Sequence, residues 1–417
     1  MLLWMYVLTG YGADVSFCNG HFSAIDRYDP PTDGARDAAM ARWLVQIFGA
    51  ALVVSALTDV FLTVLYARSG IGVISHRISR WNWRLFRLAA APFPRKVRDG
   101  ILTFGGPALL VWMALAWVLS VLVGFACVIW PALGRSVQAS QGETPTDFVS
   151  ALYYTGYWMT SVGNGDLRPL TPFYKVVSVM SSFLGLSIIT LMLTYFVQVF
   201  TALQRRNTFA LSLHDSTGGT GDAVDLLCGL GAAGDFDDAR AHIAKLANEL
   251  ADLHESHHFY ESLFYFTFRE PHYAIARVAV IVMECGTLVR SALDEGEYAA
   301  LKHSAAMTQF WASGVRLLDE LARVFVPGGP PREKSQPPDP QSAERWRRRF
   351  RRASARLREA GIRTTPDEAA AAELYVKLRR EWDPYIKPLA MYMGHDPADI
   401  DPAAALHDDP FAADVPT

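Results

Sequence analysis

Three long apolar segments in the first half of the chain limit its possible folds more than any other feature. They occupy residues 43–67, 107–133 and 173–203, and they hold few charged side chains. At about 1.5 Å of rise per residue, each is long enough as a helix to cross ~30 Å of hydrocarbon. Most charged residues follow residue 204 instead. We therefore predict an all-α membrane protein with three spans, followed by a helical soluble half.

The charged residues beside these segments predict how the chain is oriented. The connection 68–106 holds eight Lys or Arg between residues 68 and 98, and the third segment is followed by Arg205 and Arg206. Because positive residues favour the cytoplasmic side of a membrane, both connections are predicted to lie there. We therefore predict a plasma-membrane protein with residues 1–42 outside the cell and a C-terminal domain in the cytoplasm. The net charge of −3 gives no indication of a nucleic-acid partner.

The connection between the second and third spans contains a short apolar stretch, 146–159, followed by the sequence TSVGNGD at 160–166. The stretch is too short to cross a bilayer, so we predict a helix that enters the membrane and returns. Non-helical backbone at that depth must be buried in protein or line water. Gly163 and Gly165 supply the φ freedom that lets successive carbonyls point one way. A row of such carbonyls replaces the hydration shell of a cation, towards which the helix would aim the negative end of its dipole.

Residues 151–166, ALYYTGYWMTSVGNGD, resemble the pore helix and selectivity filter of potassium channels, whose filter pattern is T-T-V-G-Y-G-D. Gly185 stands nineteen residues after Asp166, where the simplest bacterial potassium channels have a hinge glycine. The resemblance covers residues 107–203: an outer helix 107–133, a pore helix 146–159, a filter 160–166 and an inner helix 173–203. It implies a tetrameric, potassium-channel-like pore, because one chain supplies one pore loop and a central pathway needs four.

The resemblance also implies the site residues. Potassium ions would occupy the filter, with no other cofactor and no enzymatic activity. The ion-binding residues would be Thr160, Ser161, Val162, Gly163, Asn164 and Gly165. Asp166, Tyr157 and Trp158 would support the filter.

Two positions depart from the family pattern. Ser161 replaces a threonine but keeps the hydroxyl. Asn164 replaces a residue, usually tyrosine, phenylalanine or leucine, that packs behind the filter, and asparagine cannot fill that space. The sequence thus favours a potassium channel and leaves a weakly selective monovalent cation channel as the alternative. The family often pairs the filter aspartate with a pore-helix carboxylate; Tyr157 occupies that place here, and we predict that its hydroxyl donates to Asp166.

Two residues within the spans have open interpretations. Gly185 serves either as a gating bend or as a point of close helix packing, since glycine inside a helix costs about 1 kcal/mol relative to alanine. Asp59 lies in the middle of the first span, where a carboxylate must face protein or water. It is either hydrogen-bonded to a neighbouring helix or part of an ion path.

The remaining boundaries follow from composition. They give an N-terminal segment 1–42, a first span 43–67, a basic cytoplasmic loop 68–106, a helical cytosolic domain 204–326 that controls opening, a Pro-rich linker 327–343, and a basic helix with a C-terminal helical segment 344–417.

Three features of the soluble half suggest other functions. The sequence GLGAAG at 229–234 fits a dinucleotide-binding pattern but lacks the strand that should precede it, which favours a helix end and turn. HESHH at 254–258 places His254 and His258 as zinc-protease ligands do, so a membrane-tethered zinc hydrolase, a regulatory metal site or a proton sensor are alternatives. The helix from Arg345 to Arg358 either lies on anionic lipid or pairs with acidic residues of neighbouring helices.

For the protein as a whole, the remaining alternative to a channel is a membrane scaffold that does not conduct ions.

Overall fold

The computed structural model describes residues 33–66, 72–236, 238–326, 328–331 and 339–401, which are mainly helical. The predicted N-terminal segment lies outside the described residues as far as residue 32. The described helices are α1 (Asp33–Val60), α2 (Val73–Ala90), α3 (Arg95–Leu102), α4 (Gly105–Ile129), α5 (Phe148–Met159), α6 (Pro172–Ser216), α7 (Ala223–Leu230), α8 (Ala239–Phe259), α9 (Ile275–Ser291), α10 (Glu295–Lys302), α11 (Ala305–Phe325), α12 (Pro340–Glu359), α13 (Glu368–Arg379), α14 (Asp383–Met393) and α15 (Pro397–Ile400). Two short strands, β1 (Val137–Ala139) and β2 (Leu167–Pro169), pair antiparallel.

The chain divides into two compact units. The first, here called the loop unit because it contains the loop 160–166, comprises residues 1–61 and 114–193. The second, here called the helical unit, comprises residues 62–113 and 194–417. The boundaries between them fall close to the end of α1 and within α4 and α6.

In the described part of the chain, three helical stretches are long and apolar enough to cross a membrane, which confirms the predicted all-α membrane fold. They are Ala39–Leu65, Arg95–Ala132 and Pro172–Ser216. The last continues well beyond the predicted end of the inner helix at residue 203. Phe209, Ala210 and Leu213 are buried within the helical unit, so packing keeps this part of the chain helical beyond the apolar run.

The connection 68–106 contains two helices and is not the loop we predicted; its first arginine, Arg68, lies outside the described residues. Helix α2 buries Ser75, Ser79 and Trp83 on one side, with the Trp83 indole N–H donating to the carbonyl of Tyr392 at 3.1 Å. The described arginines of α2 are on the exposed side. The positive charge that suggested a loop is therefore one face of an amphipathic helix.

The first span packs against the outer helix through glycines. A Cβ on Gly49 would lie 2.4 Å from the carbonyl oxygen of Gly124, and a Cβ on Gly124 would lie 2.6 Å from Val53 Cγ2. Small residues at such contacts let membrane helices approach closely. The Gln46 side-chain amide adds hydrogen bonds to the Val128 carbonyl at 3.1 Å and the Tyr174 hydroxyl at 2.8 Å. Residues of α1 are thus an integral part of the loop unit.

Asp59 has the hydrogen-bonded environment that we considered for it. Its side chain is buried and accepts a hydrogen bond from the Trp117 indole N–H of α4 at 2.9 Å. A polar group inside an apolar span needs such a partner, because it would otherwise lose its hydration without compensation.

The helical unit is built around α9. All of its residues except Arg290 are buried, so it is a core helix and is not among the three candidate spans. Most surrounding helices begin at a side-chain cap, a feature that satisfies otherwise unpaired N–H groups. The capping residues are Asp222, Asp294, Ser304, Asp339, Asp367 and Asp396.

Helix α12 begins four residues before the predicted boundary at 344, because Pro340 follows the cap Asp339. Residues 327 and 332–338 of the predicted linker lie outside the described residues.

The arginines of α12 are largely paired with acidic side chains, one of the two alternatives for this helix. The pairs are Arg347–Glu373, Arg349–Glu284, Arg349–Asp401, Arg351–Glu344, Arg356–Asp222, Arg356–Asp225 and Arg358–Glu368. Trp346, Phe350 and Leu357 are buried on the same helix. The apolar side chains that would insert into lipid are therefore already packed inside the protein.

Candidate functional site

Helix α5 brings the loop 160–166 to its position. The carboxylate of Asp147 caps its first turn, accepting hydrogen bonds from the Ser150 amide at 2.9 Å and the Ser150 hydroxyl at 2.7 Å. The helix ends at Met159, where the Thr160 hydroxyl donates back to the carbonyl of Gly156 at 2.8 Å. The negative end of the helix dipole therefore lies at the start of the loop.

The backbone of the loop alternates in conformation. Ser161, Gly163 and Gly165 have positive φ values of 58°, 62° and 80°, whereas Val162 and Asn164 between them do not. Ser161 is the only non-glycine residue in the described part of the chain with positive φ. A left-handed conformation costs a residue with a Cβ about 1–2 kcal/mol, so the surroundings must impose it. Gly163 and Gly165 adopt this conformation without a Cβ penalty.

The carbonyl groups of the loop differ in their hydrogen bonding. Among the described residues, nothing donates to the carbonyls of 160–164. The next two carbonyls are held: Gly165 accepts from the Ser140 hydroxyl, and Asp166 accepts from the Ser140 amide at 2.7 Å. Val162 is 70% exposed in the single chain. Within the described part of the chain, the loop therefore presents five carbonyl oxygens without hydrogen-bond donors, followed by two that Ser140 holds.

Asn164 takes part in a polar triad with Tyr153 and Asp166. The Tyr153 hydroxyl donates to Asp166 Oδ2 at 2.8 Å, and the Asn164 amide donates both to the Tyr153 hydroxyl and, at 2.9 Å, to Asp166 Oδ2. The prediction that Tyr157 donates to Asp166 is wrong. The Tyr157 hydroxyl instead donates a hydrogen bond to the carbonyl of Leu167 at 2.8 Å, because strand β2 places that carbonyl within its reach.

The aromatic residues of α5 form the layer behind the loop. The rings of Tyr153, Tyr154 and Trp158 each lie within 6.1 Å of the Tyr157 ring, centroid to centroid. The main-chain N–H groups of Val162 and Gly163 donate to the carbonyl of Tyr157 at 3.0 and 3.3 Å. Tyr157 therefore contacts the loop through its carbonyl and packs among three aromatic rings, one of which is Trp158. That these two residues support an ion filter stays a prediction.

The Ser161 hydroxyl lies 3.0 Å from the hydroxyl of Ser182 on α6. Three partners of the loop were not predicted from the sequence: Ser140, Tyr153 and Ser182. Ser140 and Ser182 have no motif that marks them. Tyr153 lies one helical turn before Tyr157 on the same face of α5, so spacing alone gave no means of choosing between them.

Gly185 is a point of close packing. A Cβ at this position would lie 2.5 Å from the main-chain oxygen of Met159, the last residue of α5, and α6 runs through Gly185 as one continuous helix. Of the two roles considered for Gly185, close helix packing is the one that the structure directly supports.

We expect Gly185→Ala to destabilise the protein by about 1–3 kcal/mol, because neither backbone can yield to the added methyl group without moving a helix. Gly156→Ala is the matched control: the nearest atom to its Cβ would be Leu122 Cδ1 at 3.8 Å, and alanine improves helix propensity. Thermal unfolding of the full chain in detergent measures both. A Gly185→Ala protein with unchanged stability and altered opening would favour the gating role instead.

The HESHH sequence does not assemble a metal site in the described part of the chain, where no group of three His, Cys, Asp or Glu side chains is placed to hold a metal ion. The rings of His254 and His258 stack with centroids 6.4 Å apart, and His258 Nδ1 lies 3.4 Å from Glu320. His257 is buried against the Leu253 carbonyl, and burial lowers its pKa to about 3. Burial therefore favours the neutral form of this imidazole.

The GLGAAG sequence forms the end of α7 and the turn after it, as expected for a helix end. Gly234 has φ +84°, and a Cβ there would lie 2.8 Å from the carbonyl oxygen of Gly361. Gly231 and Gly234 therefore serve close packing within the helical unit, since a Cβ on Gly231 would lie 2.2 Å from the Phe236 ring.

Comparison with known proteins supports an ion channel. Residues 108–202 match the family model described as "Ion channel". These residues comprise most of α4, all of α5, the loop 160–166 and much of α6. The chain is also 27% identical over 240 residues to the uncharacterized membrane protein YdjJ of Bacillus subtilis (strain 168). The aligned region covers 56% of this chain and 67% of the relative. No solved structure matches the chain. The family match points to ion transport and away from covalent catalysis.

Proposed function

We propose that four copies of this chain form a channel that conducts monovalent cations, with potassium preferred, through the loop 160–166. The observation that carries this proposal is the row of carbonyls at 160–164 that lack hydrogen-bond donors among the described residues, on a backbone with left-handed residues at alternate positions. Unpaired carbonyls are costly unless water or a cation satisfies them. Rings of such carbonyls replace the hydration shell of potassium in selective channels.

The tetramer follows from the amount of pore that one chain supplies. A single loop cannot surround an ion, and a fourfold closed arrangement brings four loops to one axis. Thr190, Thr194, Val197 and Thr201 are exposed on α6 in the single chain and would line the inner part of the pathway. The residues that line a shared axis are expected to be exposed in an isolated subunit.

The charge distribution supports a plasma-membrane protein whose helical unit is cytoplasmic. The described basic residues between the first and second candidate spans, and Arg205 after the apolar part of the third, favour the cytoplasmic side. The loop 160–166 then belongs to the extracytoplasmic half of the pathway.

Ion preference depends on the triad of Tyr153, Asn164 and Asp166. In the potassium-channel pattern an aromatic residue fills the space behind the filter. Here Asn164 stands at that position of the pattern and is hydrogen-bonded with Tyr153 and Asp166, and charge-assisted hydrogen bonds hold geometry well. We therefore favour potassium over the weakly selective alternative.

Control by the helical unit follows from covalent continuity. The same helix, α6, supplies both the proposed pore lining and buried residues of the helical unit. Within that unit, the guanidinium of Arg206 donates to the carbonyls of Leu263 and Phe266, both at 2.9 Å, and the Tyr195 hydroxyl lies 3.0 Å from that of Ser262. A rearrangement around Ser262–Phe266 would therefore displace the end of the inner helix.

Single-channel recording of the purified full chain in planar bilayers tests the proposal. We expect unitary cation currents and a reversal potential that shifts when sodium replaces potassium on one side. Gly163→Ala should abolish the currents, since φ at this residue is +62° and the added methyl group would stand beside the pathway. The absence of current from folded, tetrameric protein would refute the channel, and a reversal potential indifferent to the exchange would refute selectivity alone.

A further inference from the structure

The exposed face of α2 carries two parallel rows of side chains. Trp81, Leu85 and Leu88 recur at the spacing of one helical stripe, and Trp81 and Leu88 are 71% and 73% exposed. The basic row beside them is Arg77, Arg80, Arg84 and Arg87, all exposed. Large apolar side chains with this exposure need a covering, because solvent-exposed apolar patches are usually interaction sites.

The opposite face of α2 is already occupied. Ser75, Ser79, Asn82 and Trp83 are buried, and the Asn82 amide donates to the carbonyl of Gly105 at 2.9 Å. The Trp83 ring lies 5.8 Å from that of Tyr265. The helix is therefore held within the helical unit by one side, which fixes the direction in which its other side points.

The arginines on the exposed face lack carboxylate partners among the described residues. In the described part of the chain, none of the α2 arginines has an ion pair, although Arg87 lies over the Tyr392 ring at 5.5 Å. The arginines of α3 and α12 differ: Arg95 pairs with Asp399, and most of the α12 set pairs with carboxylates. The four arginines of α2 therefore lie beside the exposed apolar row without a carboxylate partner among the described residues.

The chain itself places this face near a membrane. Helix α2 lies in the sequence between the candidate spans Ala39–Leu65 and Arg95–Ala132, so both of its ends are tied to segments that cross the bilayer. An amphipathic helix at that depth lays its apolar row into the boundary between headgroups and acyl chains, with its basic row among the headgroups.

We propose that the face Arg77–Leu88 of α2 binds the anionic headgroups of phospholipids, with Trp81, Leu85 and Leu88 inserted beside them. An arginine at such a surface favours anionic lipid about fivefold, which corresponds to about 1 kcal/mol. Neighbouring arginines on one face therefore define a site that discriminates phosphatidylglycerol from phosphatidylcholine. The proposal concerns lipid binding and stands whether or not the protein conducts ions.

Quenching of tryptophan fluorescence by brominated lipids tests it. The full chain is reconstituted in vesicles that contain equal mole fractions of brominated phosphatidylglycerol or brominated phosphatidylcholine. Subtracting the fluorescence of the Trp81→Phe protein from that of the unmodified protein isolates the signal of Trp81 among the 11 tryptophans of the chain. We expect the Trp81 quenching to be about twofold or more greater with the anionic lipid, and Arg77→Gln/Arg80→Gln/Arg84→Gln to abolish that difference.

A matched variant controls for charge. Arg240, Arg316 and Arg348 are exposed on α8, α11 and α12, and replacing all three by glutamine removes the same charge without touching α2. This variant should keep the preference. High salt should reduce the preference in the unmodified protein, because 1 M salt shortens the Debye length to about 3 Å; this measurement requires no variant to fold.

Three results would overturn the proposal. Equal quenching by the two lipids would exclude headgroup selection. No quenching of Trp81 by either lipid would mean that another protein surface, such as a second copy of the chain, covers this face. Equal loss of preference in the control variant would assign the effect to overall charge.

Discussion

Tyr153→Phe is expected to lower the ratio of potassium to sodium permeability by about tenfold. The substitution removes only the hydroxyl that donates to Asp166 and accepts from Asn164. A hydrogen bond to a charged group contributes about 1.5–3 kcal/mol, and 1.4 kcal/mol corresponds to a factor of ten. Without the hydroxyl, Asn164 loses an acceptor and the loop loses the clamp that substitutes for aromatic packing. Reversal potentials under bi-ionic conditions measure the change.

Tyr154→Phe is the control for this experiment. It removes a hydroxyl from the neighbouring residue of α5, but that hydroxyl lies 2.6 Å from the hydroxyl of Ser178 and does not reach the loop. Its permeability ratio should stay close to that of the unmodified protein. Were Tyr153→Phe to behave like Tyr154→Phe, the triad would have no part in ion selection and Asn164 would remain a weakness of the proposed filter.

The triad also changes the interpretation of Asn164. From the sequence, asparagine at this position indicated an empty space behind the filter, because its side chain is smaller than the aromatic residues of the family pattern. The structure shows that the side chain donates hydrogen bonds to Tyr153 and Asp166. Side-chain volume is therefore not the only quantity to compare at this position, since a satisfied polar network can also specify geometry.

The features that could be predicted from the sequence are local. The spans follow from the length of apolar runs, and the short helix before the loop follows from a stretch too short to cross a bilayer. The glycines of the loop mark positions where φ is positive, and Gly163 and Gly165 have such values. Each of these arguments needs only residues that are adjacent in the chain.

The features that could not be predicted depend on where distant segments meet. Tyr153 and Tyr157 share a face of α5, and strand β2 decides which of them reaches Asp166. Gly49 and Gly124 show no motif, because the contact exists only once α1 and α4 are side by side. The connection 68–106 appeared as a basic loop because its buried face includes serines and asparagine, which weaken an apolar period.

Glu284→Gln is expected to destabilise the helical unit by about 3–5 kcal/mol. Glu284 is buried and accepts from Arg349 Nε at 3.0 Å and from Arg379 Nη1 at 2.7 Å, while the Tyr375 hydroxyl donates to it as well. Removing one charge from a buried network leaves its partners uncompensated, which costs far more than the pair contributes when intact. For a unit of this size, a loss of 3–5 kcal/mol corresponds to a fall in Tm of about 10 °C.

Glu297→Gln provides the comparison. Glu297 also pairs with an arginine, Arg363, but the two side chains are 43% and 72% exposed. Solvent screens exposed pairs, so this substitution should cost less than about 1 kcal/mol. Differential scanning calorimetry of both proteins distinguishes them, and equal Tm values would show that the buried network does not hold the helical unit together.

Acid should act on the same network through Asp401. Burial alone would raise the pKa of this carboxyl, but Arg349 and Arg379, at 2.7 and 3.1 Å, together hold its pKa below the usual value. The stability that Asp401 contributes is therefore fully present above the pKa of the unfolded chain, about 3.9, and is lost as the pH falls through the lower folded pKa. We expect Tm to decline steeply below about pH 4, and Asp401→Asn to flatten that decline while lowering Tm at neutral pH. An unchanged acid profile in Asp401→Asn would place the acid-sensitive contact elsewhere in the unit.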